Sequence, residues 1–185
     1  GFTAASAMEP PEKVIQMLRQ FHARMEHAVF AHGGTLDKYL GDGLMATFGT
    51  PHATPKDAAN ALACANSMIS AVSAWSAERE RRGEKAIRVV VGIHYGAVVL
   101  GDIGGDSRLE YAVVGDTVNV AARLEELTRQ LGVDVAASAE TVEAAQLDTG
   151  CDEGIAKSLR VLGRRSLRGR PGEIEVWTFD AKHSA

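Results

Sequence analysis

The first long amphipathic segment of the chain follows Pro10 and Pro11. Its apolar residues recur at intervals of three and four positions, at Val14, Leu18, Phe21, Met25 and Val29. This spacing places them on one face of an α-helix. Proline in the first turn and Gly33 after the last turn mark the start and the end of that helix.

Two later segments have the same helical spacing. One begins after Pro55 and ends near Gly83, and the other begins near Thr117 and ends at Gly132. Their apolar positions are Ala58, Leu62, Ala65, Ile69 and Val72 in the first, and Val120, Leu124, Leu127 and Leu131 in the second. A shorter helix is predicted over residues 139–145.

Short runs that alternate in polarity or are rich in β-branched residues predict the strands. Two extended runs within residues 35–50 meet at Gly41-Asp42-Gly43, and Asp-Gly is a strong hairpin signal. Residues 87–93 should form a strand that pairs with residues 98–103. Further strands are predicted over residues 109–114, 133–137, 158–162 and 174–179. Strand pairs between helices predict an α+β sandwich with helices packed on a mostly antiparallel sheet.

Length, charge and cysteine content narrow the function classes. The 185 residues suffice for one domain, and a net charge of −4 gives no reason to expect binding to nucleic acid or an anionic membrane. No apolar stretch approaches the ~20 residues that span a bilayer. Cys64 and Cys151 lack metal-ligand spacing, which favours a reducing compartment.

The first candidate site is the turn at Asp42. A carboxylate at a hairpin tip between two glycines is accessible to a hard cation such as Mg²⁺. The alternative is an ordinary type I′ turn, in which aspartate is chosen because it tolerates the left-handed conformation. The local sequence on its own favours the ordinary turn.

The second candidate site is the start of the third helix, where Asp116 or Thr117 is expected to cap the helix. Asn119 and Arg123 lie four residues apart, so both side chains share one helical face, away from the apolar stripe. An amide and a guanidinium in this arrangement suit ribose and phosphate. A capped helix with a solvated polar face is the alternative.

Together with other segments, these two stretches resemble the catalytic domain of class III adenylyl and guanylyl cyclases. The matching segments, in family order, are GFT at residues 1–3, GTLDKYLGDGLMATFG at 34–49, RVVVGIHYG at 88–96 and EYAVVGDTVNVAARLE at 110–125. The resemblance implies a ferredoxin-like α+β sandwich. We expect residues 1–185 to be one catalytic domain, truncated at its N-terminus just inside the first metal-binding motif.

The resemblance also implies the chemistry. Cyclases of this family hold two divalent metal ions, Mg²⁺ or Mn²⁺, through two aspartates, while the 3′-hydroxyl attacks the α-phosphate and pyrophosphate leaves. Asp42 matches the second aspartate, and the first is expected three residues before Gly1. Asn119 matches the residue that orients the ribose, and Arg123 matches the one that stabilises charge on the α-phosphate.

Base and phosphate recognition follow from the same resemblance. Lys38 matches the lysine that selects adenine, which favours ATP. The second base-selecting position is Ala112, which has no acceptor for the adenine amino group and leaves a guanylyl or dual-specificity cyclase as an alternative. A basic residue near the C-terminus should bind the terminal phosphates, and we choose Arg168 over Arg170. A basic loop without a ligand is the other interpretation.

The family arrangement implies a homodimer, because residues of the Asp42 type and of the Lys38, Asn119 and Arg123 types serve one site from opposite subunits. We expect ATP as substrate, a cytoplasmic catalytic domain in intracellular signalling, and an upstream regulatory or sensor domain. No contact with nucleic acid or membrane is expected within this chain. A non-catalytic cyclase-homology domain that binds nucleotide or only dimerises is the alternative of another class.

His94, at the end of the strand predicted over residues 87–93, could suggest a general base. The family needs no dedicated side-chain base for the reaction. We therefore interpret His94 as a packed or hydrated histidine at a strand end.

Overall fold

A computed structural model describes residues 9–105, 108–147 and 158–180. Its helices are α1 (Pro11–Ala31), α2 (Asp57–Arg81), α3 (Asp116–Leu131) and α4 (Ala139–Gln146). Its strands are β1 (Thr35–Leu40), β2 (Gly43–Thr47), β3 (Val91–Ile93), β4 (Val99–Gly105), β5 (Arg108–Val114), β6 (Val135–Ser138), β7 (Leu159–Ser166) and β8 (Glu173–Phe179). The predicted helices are all present, with bounds within a few residues of those expected.

The described strands form three sheets. Strands β1 and β2 make one antiparallel hairpin, β4 and β5 make another, and a four-stranded sheet has the order β3-β6-β8-β7. All the described pairs are antiparallel except β3 with β6, which is parallel. The prediction of an α+β fold with mostly antiparallel pairing is confirmed.

The partner predicted for the strand at residues 87–93 is wrong. Strand β3 covers only Val91–Ile93 and pairs with β6, whereas β4 pairs along its whole length with β5. Parallel neighbours need a connection of a dozen or more residues, usually with a helix. Helix α3 lies in the connection between β3 and β6, while β4 and β5 are close enough in sequence to form a hairpin of their own.

Buried side chains tie the helices to the sheets in three clusters. The first joins α1 and α2 to the β1–β2 hairpin, the second joins α3 to the four-stranded sheet, and the third joins α2 and α4 to β6. The second cluster consists of Val120, Leu124, Leu127, Ala136, Leu167, Ile174 and Val176. None of the helices in the described ranges is long and apolar enough to cross a membrane.

Helix α3 packs closely on β3 at Gly92. A Cβ atom at this residue would overlap the backbone carbonyl oxygen of Ala121 and the backbone nitrogen of Glu125. These atoms belong to the helix backbone, so they cannot move aside as the end of a flexible side chain can. The absence of a side chain at residue 92 therefore sets the position of α3 on the sheet.

We predict that Gly92→Ala destabilises the domain by about 1–3 kcal/mol, because overpacking forces backbone shifts. The measurement is the free energy of unfolding from urea denaturation. Gly101→Ala is the matched control, since no heavy atom lies within 4 Å of a Cβ built there. Equal stability of the two variants would contradict the close packing of α3 on β3.

Candidate active site

Asp42 lies at the exposed tip of the β1–β2 hairpin. Leu40 pairs with Gly43, so Gly41 and Asp42 are the two residues of the turn. Gly41 has a φ of 66°, whereas no described residue other than glycine has a positive φ. A type I′ turn requires a positive φ at both central residues. The interpretation of Asp42 as a left-handed turn residue is therefore wrong.

Lys38 lies on β1 of the same hairpin, directly before Tyr39. Its side chain is 30% exposed, and its Nζ lies 3.6 Å from a carboxylate oxygen of Asp37. The hairpin packs on α1. The predicted metal ligand and the predicted base-selecting residue thus share one small structural unit.

Asn119 and Arg123 lie one turn apart on α3, beside the face that buries Val120 and Leu124 in the core. The Arg123 side chain is 39% exposed, and its Nη1 is 3.2 Å from Oε2 of Glu126. The predicted shared polar face of the helix is confirmed. Because this ion pair is at the surface, it holds Arg123 only weakly.

The start of α3 differs from the predicted cap. The N-cap residue is Gly115, and no side chain caps the helix. The Thr117 hydroxyl donates instead to the carbonyl oxygen of Ala97 at 2.6 Å. The Asp116 carboxylate lies 3.6 Å from Nη1 of Arg170. Both predicted caps are wrong, because each side chain has a partner elsewhere in the fold.

The segment between β7 and β8 packs on α3 at its first residue. Leu167 is buried in the same cluster as Val120 and Leu124. Arg168, the next residue, is exposed and makes no hydrogen bond or ion pair with the described part of the chain. The structure thus brings the basic loop to the helix that carries Asn119.

Ala112 lies on β5, across from Gly101 of β4. It is buried, with 6% of its surface exposed. A methyl group in this position offers no hydrogen-bond acceptor.

The predicted site residues fall into two groups within one chain. Lys38 and Asp42 lie on the hairpin that packs on α1, whereas Asn119 and Arg123 lie on α3, which packs on β3 and β6. Asp42 forms no hydrogen bond or ion pair to Asn119 or Arg123. Within residues 9–105, 108–147 and 158–180, no three His, Cys, Asp or Glu side chains cluster around a potential metal position.

Comparison with known protein families shows the family to which this chain belongs. The family described as "Adenylate and Guanylate cyclase catalytic domain" matches residues 1–181. The chain belongs to this family.

Two curated cyclases are similar in sequence to this cyclase domain. Adenylate cyclase 1 of Rhizobium meliloti (strain 1021) is 33% identical over 95% of the chain, and the adenylate cyclase of Anabaena cylindrica is 34% identical over 98%. The matched regions are 25% and 35% of those proteins. The chain thus spans between a quarter and about a third of the length of these relatives.

Solved cyclase structures share the fold. The adenylyl cyclase CyaB from P. aeruginosa superposes with a TM-score of 0.83 at 24% identity, covering 97% of this chain and 88% of that one. The guanylyl cyclase Cya2 superposes with a TM-score of 0.79 at 29% identity, covering 98% and 88%. The expected cyclase fold is confirmed.

Three side-chain contacts at the candidate site of the cyclase domain were not predicted from the sequence. Glu126 follows Arg123 by three residues, a spacing that predicts a contact on a helix and that could have been used. The contact of Arg170 with α3 depends on the path of a loop. The position of Asp37 beside Lys38 depends on an irregularity of β1 that has no signal in the local sequence.

His94 is packed, as expected. Its side chain is 8% exposed, its Nδ1 shares a hydrogen bond of 2.8 Å with Oγ of Ser138, and Glu140 lies 4.0 Å away. Ser138 is also the N-cap of α4. Burial lowers the pKa of His94 below its ordinary value of 6.5, although the Glu140 carboxylate opposes this shift.

This pKa shift predicts a pH dependence of stability. Because the folded chain resists protonation of His94 more than the unfolded chain does, stability is lost as the pH falls below about 6.5 towards the folded pKa. His94→Gln should lose less stability than the wild type over that interval, measured as the urea midpoint at each pH. His52→Gln, at an exposed histidine, is the control. Identical pH profiles for wild type and His94→Gln would contradict the assignment.

Proposed function

We propose that this chain is the catalytic domain of an adenylyl cyclase, which converts ATP to 3′,5′-cyclic AMP and pyrophosphate. The observation that carries the proposal is the solvent exposure of Asp42 and Arg123 on a cyclase domain. These two residues match the family's metal ligand and the residue that stabilises charge on the α-phosphate. The names of the two curated relatives, both adenylate cyclases, support the choice of reaction.

Asp42 suits a divalent metal ligand. Hard cations prefer carboxylate oxygens, and the Asp42 side chain is exposed and makes no ion pair with the described residues. The aspartate expected before Gly1 would complete the pair of carboxylates. When bound, two divalent ions activate an attacking hydroxyl and stabilise the leaving oxygen.

The residues of α3 would bind the sugar and the phosphates. Arg123 offers two parallel donors to an α-phosphate, and its surface contact with Glu126 is weak enough to exchange for the ligand. Asn119, one helical turn earlier, would orient the ribose. Arg168 would bind the terminal phosphates, because its side chain is exposed and has no ion pair with the described residues that a ligand would have to displace.

Lys38 would select the base. An ammonium group can only donate hydrogen bonds, which suits the ring-nitrogen acceptor of adenine and not the N–H group at the same edge of guanine. Ala112 supports a second candidate function, a guanylyl or dual-specificity cyclase, because it offers no acceptor to the adenine amino group. Base choice then depends mainly on Lys38.

The exposed apolar residues of the β4–β5 hairpin support a homodimer with shared sites. Val99, Ile103 and Val114 are 70%, 50% and 47% exposed. Contiguous exposed apolar surface commonly marks a protein contact. In such a dimer the Asp42 hairpin of one copy would face Asn119 and Arg123 of the other.

The test of this function is a competition between the two purine nucleotides. The full-length protein is incubated with equal ATP and GTP and with Mg²⁺ or Mn²⁺, and both cyclic products are quantified at several protein concentrations. We expect cyclic AMP as the main product, with specific activity that rises with concentration because the active species is a dimer. No cyclic product from a folded dimer would refute the proposal.

Lys38→Glu tests the choice of base in the same assay. A carboxylate at this position accepts hydrogen bonds, so the product ratio should shift from cyclic AMP towards cyclic GMP. Lys13→Glu is the control, because Lys13 is an exposed lysine in the first turn of α1 whose ion pair is with Glu9. Comparable amounts of both products from the wild type would favour the dual-specificity enzyme.

A further inference from the structure

A buried carboxylate lies directly beside the lysine that is proposed to select the base. The side chain of Asp37 is only 6% exposed, and its Oδ2 lies 3.6 Å from Nζ of Lys38. We propose that Asp37 is a positioning residue that sets the purine preference by holding Lys38 in place. This inference rests on the proposed function, in which Lys38 contacts the base.

The two side chains meet because β1 is irregular. Leu36 pairs with Ala46 and Lys38 pairs with Met45, so Asp37 is an extra residue in the ladder. Successive side chains of a regular strand point to opposite faces. An extra residue of this kind interrupts the alternation. Regular geometry would keep the side chains of adjacent residues apart on opposite faces, whereas this irregularity allows Asp37 and Lys38 to form a charged pair.

The burial of Asp37 makes this contact more than an ordinary surface ion pair. Oδ2 is fully buried and accepts no hydrogen bond within the described ranges. A buried carboxylate is costly unless a cation compensates it. The Lys38 ammonium is the cation that lies near this carboxylate, and the Lys38 side chain is 30% exposed. The lysine is therefore near Asp37 and at the same time partly accessible from solvent.

The identity of Ala112 makes the position of Lys38 more important. Ala112 has no side-chain acceptor for the base. Of the two predicted base-selecting residues, only Lys38 can therefore form a side-chain hydrogen bond with it. A lysine side chain has a flexible four-carbon stem. Once released from Asp37, its ammonium could move away from the N–H edge of guanine, so discrimination between the purines would fall.

The test is a double-mutant cycle in the full-length protein. ATP and GTP affinities are measured by displacement of a fluorescent ATP analogue, and the ratio of cyclic products is measured in parallel. Asp37→Asn keeps the shape of the side chain and removes its charge. We expect the ATP-to-GTP preference to fall by on the order of tenfold, the size expected for a contact between charged groups.

The double variant separates positioning from a structural role. If Asp37 acts through Lys38, Asp37→Asn should have no further effect on the preference once Lys38→Ala is present. Asp180→Asn is the control for loss of a paired carboxylate elsewhere, because Asp180, which directly follows β8, forms an exposed ion pair of 3.6 Å with Arg160 of β7. It should leave the preference unchanged. Asp37→Ser serves in the same cycle if Asp37→Asn does not fold.

An unchanged preference in a folded Asp37 variant, or an equal effect of Asp37→Asn with and without Lys38, would overturn the inference while leaving the proposed function intact. An unchanged preference in Lys38→Ala would overturn both the inference and the base-selecting role of Lys38. A wild-type protein that binds neither nucleotide would refute the proposed function itself.

Discussion

Helix α3 can lie directly against β3 because Gly92 has no side chain. The apolar face of this helix, which includes Val120 and Leu124, is buried on the sheet. The side of the helix next to this buried face is partly open to solvent, and it carries Asn119 and Arg123 one turn apart. The polar pair takes its position and orientation from the packing of a rigid helix. Placement of this kind suits phosphate chemistry, in which orientation and charge stabilisation dominate.

The hairpin that carries Lys38 and Asp42 is anchored elsewhere. It packs on α1, with Leu44, Ala46 and Phe48 of its inner side against the first buried cluster. Each half of the candidate site is thus fixed by its own core, and in the proposed function two copies of the chain bring the halves together. Association would then be part of the mechanism, because it would join a metal-binding carboxylate to the side chains that bind the nucleotide.

Local patterns predicted the helices and the β1–β2 hairpin. The spacing of three and four residues predicted α1, α2 and α3, and Gly41-Asp42-Gly43 predicted the tip. The motifs in family order predicted the cyclase fold, which the comparisons confirm. The roles of Asp42, Asn119 and Arg123 stay predictions.

The features that the sequence did not predict depend on tertiary contacts. Strand β3 pairs with β6 and not with β4, because a helix connects two parallel neighbours that are distant in sequence. Thr117 does not cap α3, because its hydroxyl bonds to Ala97. The extra residue Asp37 in β1 has no local signal, since its neighbours are compatible with a regular strand. Each of these depends on which surfaces meet, and local propensity does not determine that.

The central claim is that one active site takes residues from two copies of the chain, and mixing two inactive variants tests it most directly. Asp42→Ala and Arg123→Ala should each reduce cyclic nucleotide production at least ~100-fold in the full-length protein. In an equimolar mixture that exchanges subunits at random, half of the dimers carry one intact site of two, so about a quarter of wild-type activity should return. No recovery in a verified heterodimer would contradict the account.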